Sequence, residues 1–182
     1  MQQLFDLIFS SSNIHKYQEA QKILETFGIK LEFYKFNLDE IQSDSLKEIA
    51  NHKSIQAFQK CKKPVIVEDD GLFIESLGGF PGPYSSYVFK TIGNKGILNL
   101  LKKNRKAKFV SVISYSDKKN TKAFESHLDG TISKKISGKG WGYDPIFIPS
   151  NSKLTFAQLK EKNKISHRYK ALKKFSSWYL DR

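Results

Sequence analysis

The stretch Phe5-Asp6-Leu7-Ile8-Phe9-Ser10-Ser11-Ser12-Asn13-Ile14-His15-Lys16 changes periodicity within a dozen residues. Phe5–Phe9 is a near-continuous apolar run, the pattern of a buried strand. Ser10-Ser11-Ser12-Asn13 is a cluster of turn and helix-cap residues. Beyond it, Ala20, Ile23, Leu24 and Phe27 recur at spacings of three and four, which predicts a helix over Lys16–Phe27. Gly28, tolerant of a left-handed closing conformation, ends it.

The same mixture of periods continues. Leu31–Leu38 reads as a second strand, Ser45–Cys61 as a second helix, and Val65-Ile66-Val67 as a short buried strand. Gly78, Gly79, Pro81, Gly82 and Pro83 read as a bend too breakable for a regular element. A helix from near Tyr84 to Leu101 is expected, interrupted around Gly93. Phe109–Tyr115 and Lys122–Leu128 read as an antiparallel pair across the polar Asp117–Asn120, with Gly130–Ile136 as a third strand. Gly138–Pro149 reads as a glycine-rich loop followed by an apolar segment. Ser166 caps a closing helix that runs to Tyr179, with Tyr169, Leu172, Phe175 and Tyr179 on one face. Interspersed strands and helices define the class as α/β with a mixed sheet. The 182 residues suit one domain over 1–182, with no room for two linked enzymatic domains.

Thirty-one Lys and Arg against 18 Asp and Glu leave a net charge of +13, a field that draws polyanions. The basic residues lie in short scattered clusters, and neither zinc-finger spacing nor an RNA-binding sheet motif accompanies them. The lone Cys61 excludes an intramolecular disulfide and a Cys-based zinc site, and fits a reducing cytosol. No apolar run reaches the length of a membrane span. Met1–Phe9 lacks the basic start of a signal peptide. A cytoplasmic protein is expected.

Four segments offer chemistry. Ser11-Ser12-Asn13-Ile14-His15-Lys16, between strand and helix, presents helix N-terminal N–H groups to an anion, with Lys16 adding a mobile charge. A plain helix cap is the competing explanation. Glu68-Asp69-Asp70 gathers three carboxylates after a strand, where a cation relieves their repulsion. Magnesium suits such oxygen donors, with Asp39 or Glu40 as a further carboxylate. An exposed acidic turn is the alternative. Gly140-Trp141-Gly142-Tyr143-Asp144-Pro145 gives an aromatic ring room against a planar base, with Asp144 as an acceptor. An ordinary aromatic turn is the simpler account. Lys162 with Ser166-His167-Arg168 gathers donors suited to a carbonyl or an anion. A cap and surface salt bridge would explain them equally.

Together these segments resemble the inosine triphosphate pyrophosphatase family. The matching text runs in order through nearly the whole chain: Ser11–Lys16, Glu40-Ile41-Gln42, Glu68-Asp69-Asp70-Gly71-Leu72, Leu77–Ser85, Gly140–Phe147 and Glu161–Arg168. The resemblance implies a long mixed twisted β-sheet with flanking helices, in two lobes around a nucleotide cleft. It implies hydrolysis of noncanonical purine nucleoside triphosphates (ITP, dITP, XTP) to the monophosphate and pyrophosphate, with Mg2+ and as a homodimer. By matching position, Ser11, Ser12, Asn13, Ile14, His15 and Lys16 line the phosphates, and Lys53 contacts the substrate. Glu40 and Asp69 hold the metal, and Asp69 is also the catalytic base. Trp141, Gly142, Tyr143 and Asp144 hold the nucleobase, Trp141 by stacking, and Lys162, His167 and Arg168 complete the pocket.

Three positions depart from the family pattern: Ser12 replaces a common glycine, Trp141 a usual Phe, and Asp70 a usual Ser or Thr. The charge of Asp70 would either strengthen metal binding or repel phosphate, and both alternatives fit the sequence. Two other functions compete: a Maf-like pyrophosphatase acting on other modified nucleotides, and a basic nucleic-acid-binding module. The base-side motif argues against the first, and specific nucleic-acid binding is not expected.

Overall fold

The opening change of period is realised as strand β1 (Leu7–Ser10) followed by helix α1 (Ile14–Glu25). The structure, a computed structural model, describes residues 5–182, so the part of the N-terminal reading that concerns residues 1–4 lies outside the described residues. The Asn13 side chain accepts from the His15 N–H at 3.0 Å and caps α1. Gly28, at φ +77°, turns the chain back after the helix. Strand β2 (Leu31–Tyr34) is shorter than expected, and residues 35–45 form no helix or strand. Helix α2 (Leu46–Cys61) starts on Ser45, whose hydroxyl accepts from the Glu48 N–H.

The largest departure from the sequence reading is strand β3. It spans Val65–Ile74 rather than Val65–Val67, so the three carboxylates sit inside a strand and not at its end. Apolar residues resume at Leu72 and Ile74, both fully buried, and carry the strand past the charges. A 3-10 turn (Glu75–Leu77) leads into the glycine-rich bend, which holds a two-residue strand, β4 (Pro81–Gly82), paired antiparallel to β3. Gly71 makes that pairing possible, since a Cβ there would stand 2.4 Å from the Gly82 carbonyl oxygen. Helices α3 (Ser85–Thr91) and α4 (Gly93–Leu100) are broken apart at Gly93, φ +60°, as the sequence indicated.

Strands β5 (Lys106–Ser116) and β6 (Thr121–Ile132) form a hairpin closed by the Asp117 N–H on the Asn120 carbonyl. Gly130–Ile132 is the end of β6 and not a separate strand. The next partner is β7 (Phe147–Pro149), antiparallel with Ile132 opposite Phe147. Gly130 permits that approach, because a Cβ would meet the Ile148 carbonyl oxygen at 2.3 Å. Helix α5 (His167–Leu180) closes the chain. The strand order is β2-β1-β3-β5-β6-β7, with β4 on β3, and β1 pairs in parallel with both β2 and β3. This is the mixed sheet expected of the α/β class.

The chain divides into two compact units. The first holds the described residues through Asp69 with Ser111–Ser126 and Arg168–Arg182. Its main core packs Leu7, Phe9, Leu24, Ile66, Tyr115, Phe175 and their neighbours, and a second cluster lies around Ile8, Ala57, Val65 and Val67. The second unit holds Asp70–Val110 and His127–His167. Its core gathers Leu72, Ile97, Phe109, Tyr143, Phe147 and Phe156.

Candidate functional site

In the first unit, β1 delivers Ser10 to the start of a polar turn. The Ser11 hydroxyl accepts from the Asn13 N–H at 3.0 Å, which folds Ser11–Asn13 tightly onto the head of α1. No acidic side chain occupies the first turn of that helix, so its positive end is not neutralised from within. Lys16, within that first turn, reaches the Glu68 carbonyl oxygen at 3.4 Å.

Strand alternation then separates neighbouring carboxylates. Glu68 is 2% exposed. Its two oxygens accept from the Ser111 hydroxyl at 2.8 Å and from Arg168 Nε at 2.7 Å. Arg168, fully buried, also donates from Nη1 to Glu19 on α1. Two donors of the guanidinium fork therefore face carboxylates. Asp69 takes the other side. Its Oδ1 accepts from Lys53 Nζ at 2.8 Å, and the same ammonium reaches Glu40 Oε1 at 2.9 Å. Lys53 rides on α2, which a buried hydroxyl cluster fastens to β5. Ser54 Oγ lies 2.9 Å from both Ser114 Oγ and Ser116 Oγ, and Ser114 donates to Asn51 Oδ1.

Asp69 Oδ2 is buried without a hydrogen-bond partner. Burial is the larger influence on this carboxyl and raises its pKa above the ordinary value, while the Lys53 and Lys16 ammonium groups pull it down in part. An unsatisfied carboxylate oxygen beside a second, exposed carboxylate is a donor set suited to a hard divalent cation. Among the described residues no group of three or more His, Cys, Asp or Glu forms a metal cage. The fit is to an ion that takes its remaining ligands from water and phosphate, as Mg2+ commonly does.

In the second unit, Lys162 Nζ donates to Asp144 Oδ2 at 2.7 Å and lies 5.1 Å from the Trp141 ring centroid. Gly142, at φ +59°, turns the chain between Trp141 and Tyr143, and its carbonyl accepts from Asn94. The Tyr143 side chain enters the core, where its hydroxyl donates to the Ser85 carbonyl at 2.9 Å, so only its backbone is left for a ligand. The His167 ring stacks on Phe109 at 4.5 Å between centroids. His167 Nε2 stands 3.8 Å from Asp70 Oδ2. Asp70, an open question in the sequence, thus lies beside an imidazole.

The expected residues accordingly fall into two groups. Ser11–Lys16, Glu40, Lys53, Asp69 and Arg168 belong to the first unit, and Asp70, Trp141–Asp144, Lys162 and His167 to the second. Sequence reasoning missed Glu19 and Ser111, the partners of Arg168 and Glu68. Glu19 lies one turn beyond Lys16 and was open to helical-face arithmetic. Ser111, 43 residues from Glu68, carries no local signal.

Known proteins share the sequence pattern and the fold. Residues 7–178 match the Ham1 family. A dITP/XTP pyrophosphatase of Methanopyrus kandleri is 50% identical over 179 residues, 95% of each chain. One of Thermococcus kodakarensis is 46% identical over 177 residues, 94% of this chain and 96% of that protein. Among solved structures, the Staphylococcus aureus Ham1 protein superposes with a TM-score of 0.80 at 30% identity, over 96% of this chain and 98% of that one. A HAM1 protein from Coxiella burnetii gives a TM-score of 0.83 at 27% identity, over 98% of this chain and 100% of that one. A chain matched over almost its full length, in sequence and in fold, belongs to the Ham1 family.

Proposed function

We propose that this protein hydrolyses dITP, ITP and XTP to the nucleoside monophosphate and pyrophosphate, as one catalytic domain spanning the chain. The observation that carries the reading is Asp69, a buried carboxylate held by a lysine and left with one unsatisfied oxygen. Its raised pKa makes it a better proton acceptor than an exposed aspartate. Asp69 orients the attacking water and takes its proton. Lys16, Lys53 and the N–H groups at the head of α1 hold the phosphate oxygens, with Ser11, Ser12, Asn13, Ile14 and His15 lining the tail. Glu40 and Asp69 would hold Mg2+, which when bound offsets negative charge on the phosphates.

At the other end of the substrate, Trp141 stacks on the base and the Gly142 and Tyr143 backbone supports it. Asp144, Lys162, His167 and Arg168 complete the polar contacts. His167 and Arg168 are donors matched to the 6-oxo group of hypoxanthine or xanthine. Adenine presents an amine there, and a buried donor left unpaired costs roughly 1–3 kcal/mol. Because Arg168 already meets Glu68 and Glu19, Arg168→Ala separates reading from bracing. A narrowed ITP-to-ATP preference assigns it to the base, and an unchanged preference with a lowered Tm assigns it to the fold.

The same reading makes the enzyme a cytoplasmic homodimer without a membrane or specific nucleic-acid partner. No described helix is long and apolar enough to cross a membrane. The Maf-like and nucleic-acid-binding alternatives are not favoured, since the family match spans nearly the whole chain. The test is product analysis for ITP, XTP, GTP and ATP with and without Mg2+. Pyrophosphate release from ITP and XTP, dependent on the metal, is expected. Orthophosphate and diphosphates as products, or equal rates with ATP, would overturn the proposal.

A further inference from the structure

The loop that carries Glu40 has no ladder of its own, because residues 35–45 form neither helix nor strand. A single side chain on α2 supplies what the ladder would. The Asp39 N–H donates to Gln56 Oε1 at 3.0 Å, and Gln56 Nε2 donates to the Asp39 carbonyl at 2.9 Å. The primary amide thus pairs with one residue's backbone as a neighbouring strand would. A third contact fixes its orientation, with Nε2 lying 2.8 Å from His52 Nδ1, one turn back on the same helix. Both amide hydrogens are then used, and His52 accepts through Nδ1. A flipped amide would set oxygen against the Asp39 carbonyl and N–H against N–H. Only one orientation satisfies all three contacts.

Gln56 follows Lys53 by three residues, so the two side chains share a face of α2. Lys53 grips the Glu40 carboxylate and Gln56 grips the backbone one residue earlier. The two grips differ in kind. The lysine is a cation, and a divalent ion arriving between Glu40 and Asp69 repels it and competes for the same oxygens. The amide is neutral and does not compete.

We infer that Gln56 is a positioning residue for the metal, holding Glu40 in place through Asp39 once the ion displaces the Lys53 ammonium. This rests on the proposed roles of Glu40 and Asp69. Binding of Mn2+, followed by the free-ion EPR signal, tests it in the intact protein alongside turnover against Mg2+ concentration. Gln56→Met keeps length and helix propensity and removes both backbone contacts, and Gln56→Ala removes them with a different packing change. Both are expected to bind Mn2+ about tenfold more weakly, the scale of losing two neutral hydrogen bonds. Both should require correspondingly more Mg2+, with turnover restored at high Mg2+.

Unchanged Mn2+ affinity in the Gln56 variants, with weakened affinity in Glu40→Gln, overturns the inference and leaves the metal site standing. Unchanged affinity in Glu40→Gln overturns the metal site itself. A loss that follows each variant's fall in Tm, rather than appearing equally in both, shows a structural role and also overturns the inference.

Discussion

Glu68 and Asp69 are consecutive residues on one strand, yet the two faces of β3 treat a carboxylate in opposite ways. On the Glu68 face both oxygens have donors, one from Ser111 and one from Arg168, and the group is sealed from solvent. On the Asp69 face one oxygen meets Lys53, and the other is buried with nothing to accept from. A satisfied buried ion pair fixes three elements, α1, β3 and α5, in one arrangement. An unsatisfied oxygen stabilises nothing, and under the proposed function it is the one that acts on a ligand. The lesson is that burial and charge alone do not distinguish a brace from a reagent. The hydrogen-bond count at each oxygen does.

The contrast can be tested from either face. Glu68→Ala leaves Arg168 without one of its buried carboxylates and should lower stability by about 3–5 kcal/mol, read from denaturant unfolding. A loss below about 1 kcal/mol would make Glu68 no brace. Lys53→Met should cost less, about 1–3 kcal/mol, because Asp69 can protonate when its partner is gone. If Lys53→Met proved the more damaging to stability, the assignment of the two faces would be reversed.

A smaller effect follows from the pKa of Asp69. Its folded value lies above its unfolded one, so between the two the folded state holds a proton that the unfolded state releases. The stability linked to this group is fully present below the unfolded value and is lost as pH rises through the folded one. Asp69→Asn removes that loss. Its Tm relative to the wild type should therefore climb as pH increases above the ordinary carboxylate range, and level off only above the folded value. A difference that does not vary with pH contradicts the assignment. The smallest effect is expected at Asp70→Asn, which removes a charge 3.8 Å from His167 Nε2. It should alter the ITP-to-ATP ratio and leave the maximal rate of pyrophosphate release near the wild-type value. A collapse of the rate would place Asp70 on the phosphate side.

Much of this was open to a reader of the sequence. The strand-to-helix change at Ser10–Asn13, the break at Gly93 and the run of α2 to Cys61 are local, written in apolar period and turn chemistry. The extent of β3 was not legible, because three acidic residues read as a turn until their partners are known. Those partners come from elsewhere in the chain: Lys53 from α2, Ser111 from β5 and Arg168 from α5. Lys16, Glu40 and Lys53 could be singled out by resemblance. The amide grip of Gln56 on Asp39 could not, since glutamine on a helix has no distinctive spacing. The end of β6 was misplaced for a related reason. Gly130 resembles a turn residue, and its role in admitting the Ile148 carbonyl is visible only in the pairing.

The central claim is that one face of β3 performs the chemistry while the other holds the fold. It is tested most directly by measuring turnover of ITP at saturating Mg2+ together with Tm for Asp69→Asn and Glu68→Gln, side by side. The account predicts that Asp69→Asn loses about 10²–10⁴-fold in rate with no fall in Tm at neutral pH. It predicts that Glu68→Gln melts lower and keeps most of its rate while folded. Near wild-type turnover in Asp69→Asn, or a rate loss in Glu68→Gln equal to that of Asp69→Asn, would contradict it.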